Sequence, residues 1–100
     1  MPKFLVTYHS GGMPADPVQA AAARDAFGAW LSKAGKAVVD PGAPVRSVAH
    51  LPSNKPLPEG VIGGYSVIEA PTAEAVVKVL ESHPFVSRGG TLQVHEPIEV

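Results

Sequence analysis

Few side chains in this sequence can do chemistry, and they are scattered. His9 closes an apolar run just before Ser10-Gly11-Gly12, where an imidazole can act as a general base near neutral pH. Asp40 precedes Pro41-Gly42 and can orient that histidine or accept a substrate proton. Tyr65 follows Gly63-Gly64 and offers a phenol, while Arg46 and His50 sit in a proline-rich stretch and can close over an anionic ligand. Each also has a plainer reading. A strand-end histidine can simply be hydrated, Asp-Pro-Gly is an ordinary turn, a half-buried tyrosine packs with its hydroxyl satisfied, and loop charges are solvated. An acid–base dyad of His9 and Asp40 needs the two groups within about 2.6–3.2 Å or one water apart. Geometry therefore decides.

The other two histidines have quieter expectations. His83 is placed in the last turn of a second helix, where a cation complements the helix dipole, and His95 lies on the polar side of the last strand. The four histidines show no HxH or HxxxH spacing, so no metal is expected. The chain has no cysteine, which excludes disulfides, thiolate-held metals, iron–sulfur clusters and thiol catalysis. The glycine pairs lack the context of a phosphate or dinucleotide loop. No cofactor is expected.

Composition bounds the remaining choices. One hundred residues, 45% hydrophobic and 17% charged, make one globular domain. A formal net charge of −1 argues against nucleic acid, whose binders carry a basic face. No apolar run nears the roughly 18 residues of a membrane span, and Phe4-Leu5-Val6 is too short for a secretory leader. A cytoplasmic setting is expected.

The elements that must position these residues can be read in order. Lys3 to His9 is a strand with apolar residues on both faces. Asp16 as N-cap, Pro17 at the first helical position, an apolar stripe through Ala20, Ala23, Phe27, Trp30, Leu31 and Ala34, and Gly35 as stop predict a helix over 16–34. Lys36 to Asp40 is a short strand broken by Pro41-Gly42. Residues 43–60 form a long irregular hairpin connection. Val61 to Ala70 is a second long strand, Thr72 caps a helix over 72–82 that Pro84 stops, and Thr91 to Glu96 alternates as a half-buried strand.

Strand, helix, strand, strand, helix, strand is the ferredoxin-like βαββαβ order: a four-stranded antiparallel sheet with two helices on one face. Nothing in the chain covers the other face, although the central strands are apolar on both sides. An uncovered apolar face is an interface or a liability. The expected solution is a homodimer, sheet against sheet, enclosing a cavity.

One run carries a wider likeness: Gly63-Gly64-Tyr65-Ser66-Val67-Ile68-Glu69-Ala70, then a helix, His83-Pro84-Phe85, Gly89-Gly90 and Val94-His95-Glu96-Pro97-Ile98. It resembles the YCII-related family of small proteins. The opening strand, the Trp30 helix and Val39-Asp40-Pro41-Gly42 look similar too, so the resemblance spans nearly the whole chain. It implies a dimeric α+β barrel, the architecture also used by muconolactone isomerases and small cofactor-free monooxygenases. It further implies a histidine paired with an aspartate near the sheet cavity, as proposed for some members. Two functions stay open. One is an enzyme doing acid–base chemistry on a small organic molecule, with His9 as base or acid, Asp40 orienting it, and Tyr65 or Arg46 holding an oxygen. The other is a non-catalytic small-molecule-binding or regulatory interaction module.

Overall fold

The computed structural model describes residues 1–9, 15–56 and 61–99. Its elements are β1 (Lys3–His9), α1 (Pro17–Ala34), a 3-10 turn (Gly35–Ala37), β2 (Val38–Pro44), β3 (Gly64–Glu69), α2 (Ala73–Leu80), α3 (Pro84–Ser87) and β4 (Thr91–His95). The strands form one antiparallel sheet in the order β2-β3-β1-β4. This is the ferredoxin-like α+β fold that the element order predicts. The glycine pair expected to stop β1, Gly11-Gly12, lies outside the described residues.

Local chemistry accounts for the two longer helices. Asp16 Oδ1 accepts from the Val18 and Gln19 amides at 2.8 and 3.4 Å, satisfying donors that the first turn of α1 leaves unpaired. Gly35 ends α1 at φ +61° with its amide on the Leu31 carbonyl. Thr72 caps α2 through its hydroxyl, which accepts from the Ala75 amide at 3.1 Å. Trp30 is buried on the inner face of α1, and its indole N–H donates to the Val79 carbonyl at 3.2 Å. It packs with Phe4, Val6, Ile68, Val76 and Leu80, and these residues make the core between the sheet and the helices.

Alternation then sorts the sheet into two faces. Phe4 and Val6 of β1, with Ser66 and Ile68 of β3, are buried under the helices. Leu5 (41% exposed), Tyr65 and Val67 fall on the opposite face.

Two elements depart from expectation. β2 does not break at Pro41-Gly42 but continues to Pro44, with register shifts on either side of Asp40. An edge strand tolerates proline, and Gly42 adopts φ +71°, where any Cβ would collide with the Tyr65 carbonyl. Pro84 does not stop α2, which already ends at Leu80. It starts α3 instead, a short helix capped by His83. The pyrrolidine suits a first helical position as well as it ends a previous one.

Candidate functional site

A cavity of about 710 Å³ lies between the helix-covered face of the sheet, α1, α3 and the far end of β2. That volume is in the range of small-molecule sites, roughly 300–1,000 Å³. Its walls are largely aromatic and glycine-rich: Phe27 from α1, Phe85 from α3 and Tyr8 from the sheet, with Gly42 and Gly64 alongside. The enclosing pair of sheets expected from the sequence is not what forms it. The cavity belongs to the opposite, helix-covered face.

At its floor runs a line of hydrogen bonds whose directions are forced. The Phe85 amide donates to His83 Nδ1 at 3.0 Å. His83 Nε2 lies 2.8 Å from Tyr8 Oη, Tyr8 Oη lies 2.9 Å from Ser66 Oγ, and Ser66 donates to the Pro41 carbonyl at 2.8 Å. A backbone N–H only donates and a backbone carbonyl only accepts. Ser66 therefore spends its proton on Pro41 and accepts from Tyr8. Tyr8 in turn accepts from His83, whose proton sits on Nε2 because Nδ1 is occupied as an acceptor. Both ends assign the same tautomer.

Burial sets the charge states. Desolvation, then the Arg88 guanidinium, push the His83 pKa down to about 4, so the imidazole is neutral at pH 7. Desolvation raises the Tyr8 phenol, opposed by its bond to Ser66. His83 is 1% exposed and packs edge-on to Tyr8 at 5.2 Å between ring centres, with Phe27 at 5.5 Å and Trp30 at 4.4 Å. The expectation for His83 is thus overturned. It is no solvated cation at a helix end, but a buried neutral cap. A helix that stops one turn early, leaving His83 to start the next, was not signalled by residue type alone.

The sequence candidates fare unequally. Tyr65 borders the cavity beside Gly42, but alternation along β3 sets its ring on the open face of the sheet. His9 and Asp40 are not brought together within the chain. Asp40 pairs with Val67 and thus lies level with Leu5, two strands away from β1. His9 is four residues further along, about 13 Å along the strand and about 10 Å across. Asp40 Oδ1 accepts from the Gly42 amide at 2.8 Å, the turn-forming use of an aspartate. It shapes the cavity rim rather than entering it. His9 Nε2 and His95 Nε2 both bond Thr7 Oγ1, at 2.8 and 2.7 Å, on the open face. Arg46 is exposed outside the cavity, and His50 donates to the Lys55 carbonyl at 2.8 Å within its own loop. Tyr8, Ser66 and His83 escaped sequence reading because their union spans three elements. Period-two alternation does place Tyr8 and Ser66 on one face, and that was the available signal.

No family model matches the chain, and no curated protein does. Among solved structures the fold is shared with 5-chloro-2-hydroxyhydroquinone dehydrochlorinase (TftG) from Burkholderia phenoliruptrix AC1100, in complex with 2,5-dihydroxybenzoquinone. The TM-score is 0.62 at 17% identity, over 98% of this chain and 95% of that one. The likeness establishes the ferredoxin-like α+β architecture, shared with an enzyme that holds a small molecule.

Proposed function

We propose that this protein is a small enzyme moving a proton on an oxygen-bearing organic molecule in the helix-side cavity. The observation that carries the proposal is the directed line from His83 through Tyr8, both of which line the aromatic cavity. Tyr8 Oη keeps the hydrogen bond from His83 Nε2–H while its own O–H turns from Ser66 toward a substrate oxygen or carbon. Transfer of that proton leaves a phenolate, which the hydrogen bond from His83 Nε2–H stabilises. In the reverse step the phenolate takes a proton back. Tyr8 is then the acid and base, and His83 the positioning residue that sets its hydrogen bonding.

Kinship with the YCII-related proteins is part of the same proposal, as are a cytoplasmic setting and a homodimer through the open face. The quoted Gly63–Ile98 run, the cysteine-free sequence and the half-exposed Leu5, Tyr65 and Val67 support these in turn. Sedimentation at micromolar concentration reads the last: a stable monomer removes the dimer. A ligand-binding module without chemistry is the second reading, favoured because every member of the His83–Tyr8–Ser66 line is satisfied at rest. Proton exchange separates the two. In D2O, a panel of enolisable cyclic ketones, lactones and hydroxyquinones should lose ring or α-protons to solvent in the presence of the protein. Tyr8→Phe should slow this about 10²–10⁴-fold. Binding with no exchange in any compound would leave the module reading.

A further inference from the structure

The cavity is electrically one-sided. Arg24 on α1 and Arg88 after α3 both line it, and no aspartate or glutamate among the described residues does. The chain as a whole is slightly acidic, so this is a local concentration of charge and not a reflection of a basic protein. Both arginines are exposed at the mouth, and neither has a hydrogen bond or ion pair among the described residues. Arg88 lies over the cavity wall instead, its guanidinium carbon 5.6 Å from the centre of the Phe85 ring, a cation–π placement. An arginine kept from carboxylates and parked on an aromatic wall is a standing offer to an anion. Deeper in, only neutral hydrogen-bonding groups occur at the floor, namely Tyr8 and His83.

We propose, resting on the cavity reading above, that the ligand is a flat ring carrying one anionic oxygen group and, opposite it, one neutral oxygen. The anion sits between Arg24 and Arg88 at the mouth. The ring lies among Phe27, Phe85 and Tyr8, where offset and edge contacts favour an aromatic or quinonoid plane over a puckered one. The neutral oxygen meets Tyr8 Oη–H at the floor. A dianion is disfavoured, because its second charge would be buried beside a phenol that burial already holds neutral.

The test uses four probes at equilibrium: 4-hydroxybenzoate, its uncharged isostere 4-hydroxybenzamide, benzoate, and the non-planar cyclohexanecarboxylate. Trp30 fluorescence or ligand-observed NMR reads the binding. 4-Hydroxybenzoate should bind at least about tenfold more tightly than the amide, with benzoate between them, and cyclohexanecarboxylate should bind more weakly than benzoate. Arg24→Ala and Arg88→Ala should each weaken the carboxylate about three- to tenfold, and clearly more than they weaken the amide. Amide and carboxylate binding alike, or no carboxylate binding at all, overturns the anion site. Cyclohexanecarboxylate equal to benzoate overturns the planar pocket. These outcomes separate from the failure of the enzyme reading. Neutral compounds that exchange protons in a Tyr8-dependent way would keep catalysis and refute the charge preference. Carboxylates that bind through both arginines, with no exchange in any compound, would do the reverse.

Discussion

On the helix-covered face of the sheet a histidine and two hydroxyls meet inside the core; on the open face a hydroxyl stands between two histidines. The parts are similar. In the first, backbone groups terminate the line at both ends, so each proton has one place to be. In the second, the Thr7 hydroxyl lies between His9 Nε2 and His95 Nε2 and can donate to one ring or accept from either or both, so no backbone group fixes either tautomer. The two rings are interchangeable on that account, and the face is open to solvent or to a partner. Burial plus backbone termination is what turns a hydrogen-bond cluster into a group of defined protonation. That difference puts the proposed site on the side of the sheet where residue types alone did not place it.

The two faces can be set against each other by mutation, and the largest contrast is in packing. Trp30→Ala on the covered side should destabilise by about 3–5 kcal/mol. Leu5→Ala on the open side should cost about 1 kcal/mol in a dilute monomer, and more at concentrations where subunits pair. Equal costs at all concentrations, read by denaturant melts, would show the open face to be as dry as the core.

A second contrast lies in hydrogen bonding. Tyr8→Phe keeps the ring but leaves His83 Nε2–H without an acceptor, while Ser66 still donates to the Pro41 carbonyl; the loss should cost about 1–3 kcal/mol. Thr7→Val should cost less, because at least one of its partners can turn to water. A larger loss for Thr7→Val would reverse the assignment of which cluster is structurally closed.

The pH dependence sharpens the same comparison. His83 has its pKa depressed to about 4 in the fold from about 6.5 in the unfolded chain. Its contribution is therefore whole above about pH 6.5 and is lost as pH falls toward 4, because the unfolded chain takes up the proton first. Stability should fall across that window by up to about 1.4 kcal/mol per pH unit. His83→Asn, which keeps an acceptor for the Phe85 amide, should flatten the slope. An unchanged slope would assign the loss to other groups.

Much of the architecture was legible in residue pattern. Asp16, Pro17 and Gly35 delimit α1 through hydrogen bonds that depend only on neighbours, and alternation along β1 and β3 separates Phe4 and Val6 from Leu5. The path of β2 was harder, since Pro41-Gly42 breaks an interior strand but only kinks one at an edge, and edge status is a property of the whole sheet. The site was the least legible. Asp40 and His9 look like a dyad because both end strands, yet the order β2-β3-β1 puts a strand between them. His83 looks like a helix-end cation until Pro84 is seen to start a helix, which drops the ring into the core.

The most direct measurement is the nitrogen spectrum of His83. In 15N-labelled protein, long-range proton–nitrogen correlations distinguish the two neutral tautomers from imidazolium. The structure predicts Nε2–H with a bare Nδ1 at pH 7, persisting until the ring titrates near pH 4, and shifting with Tyr8→Phe. A ring protonated on Nδ1, or one that titrates at the ordinary histidine value, would contradict the directed line on which the proposed site rests.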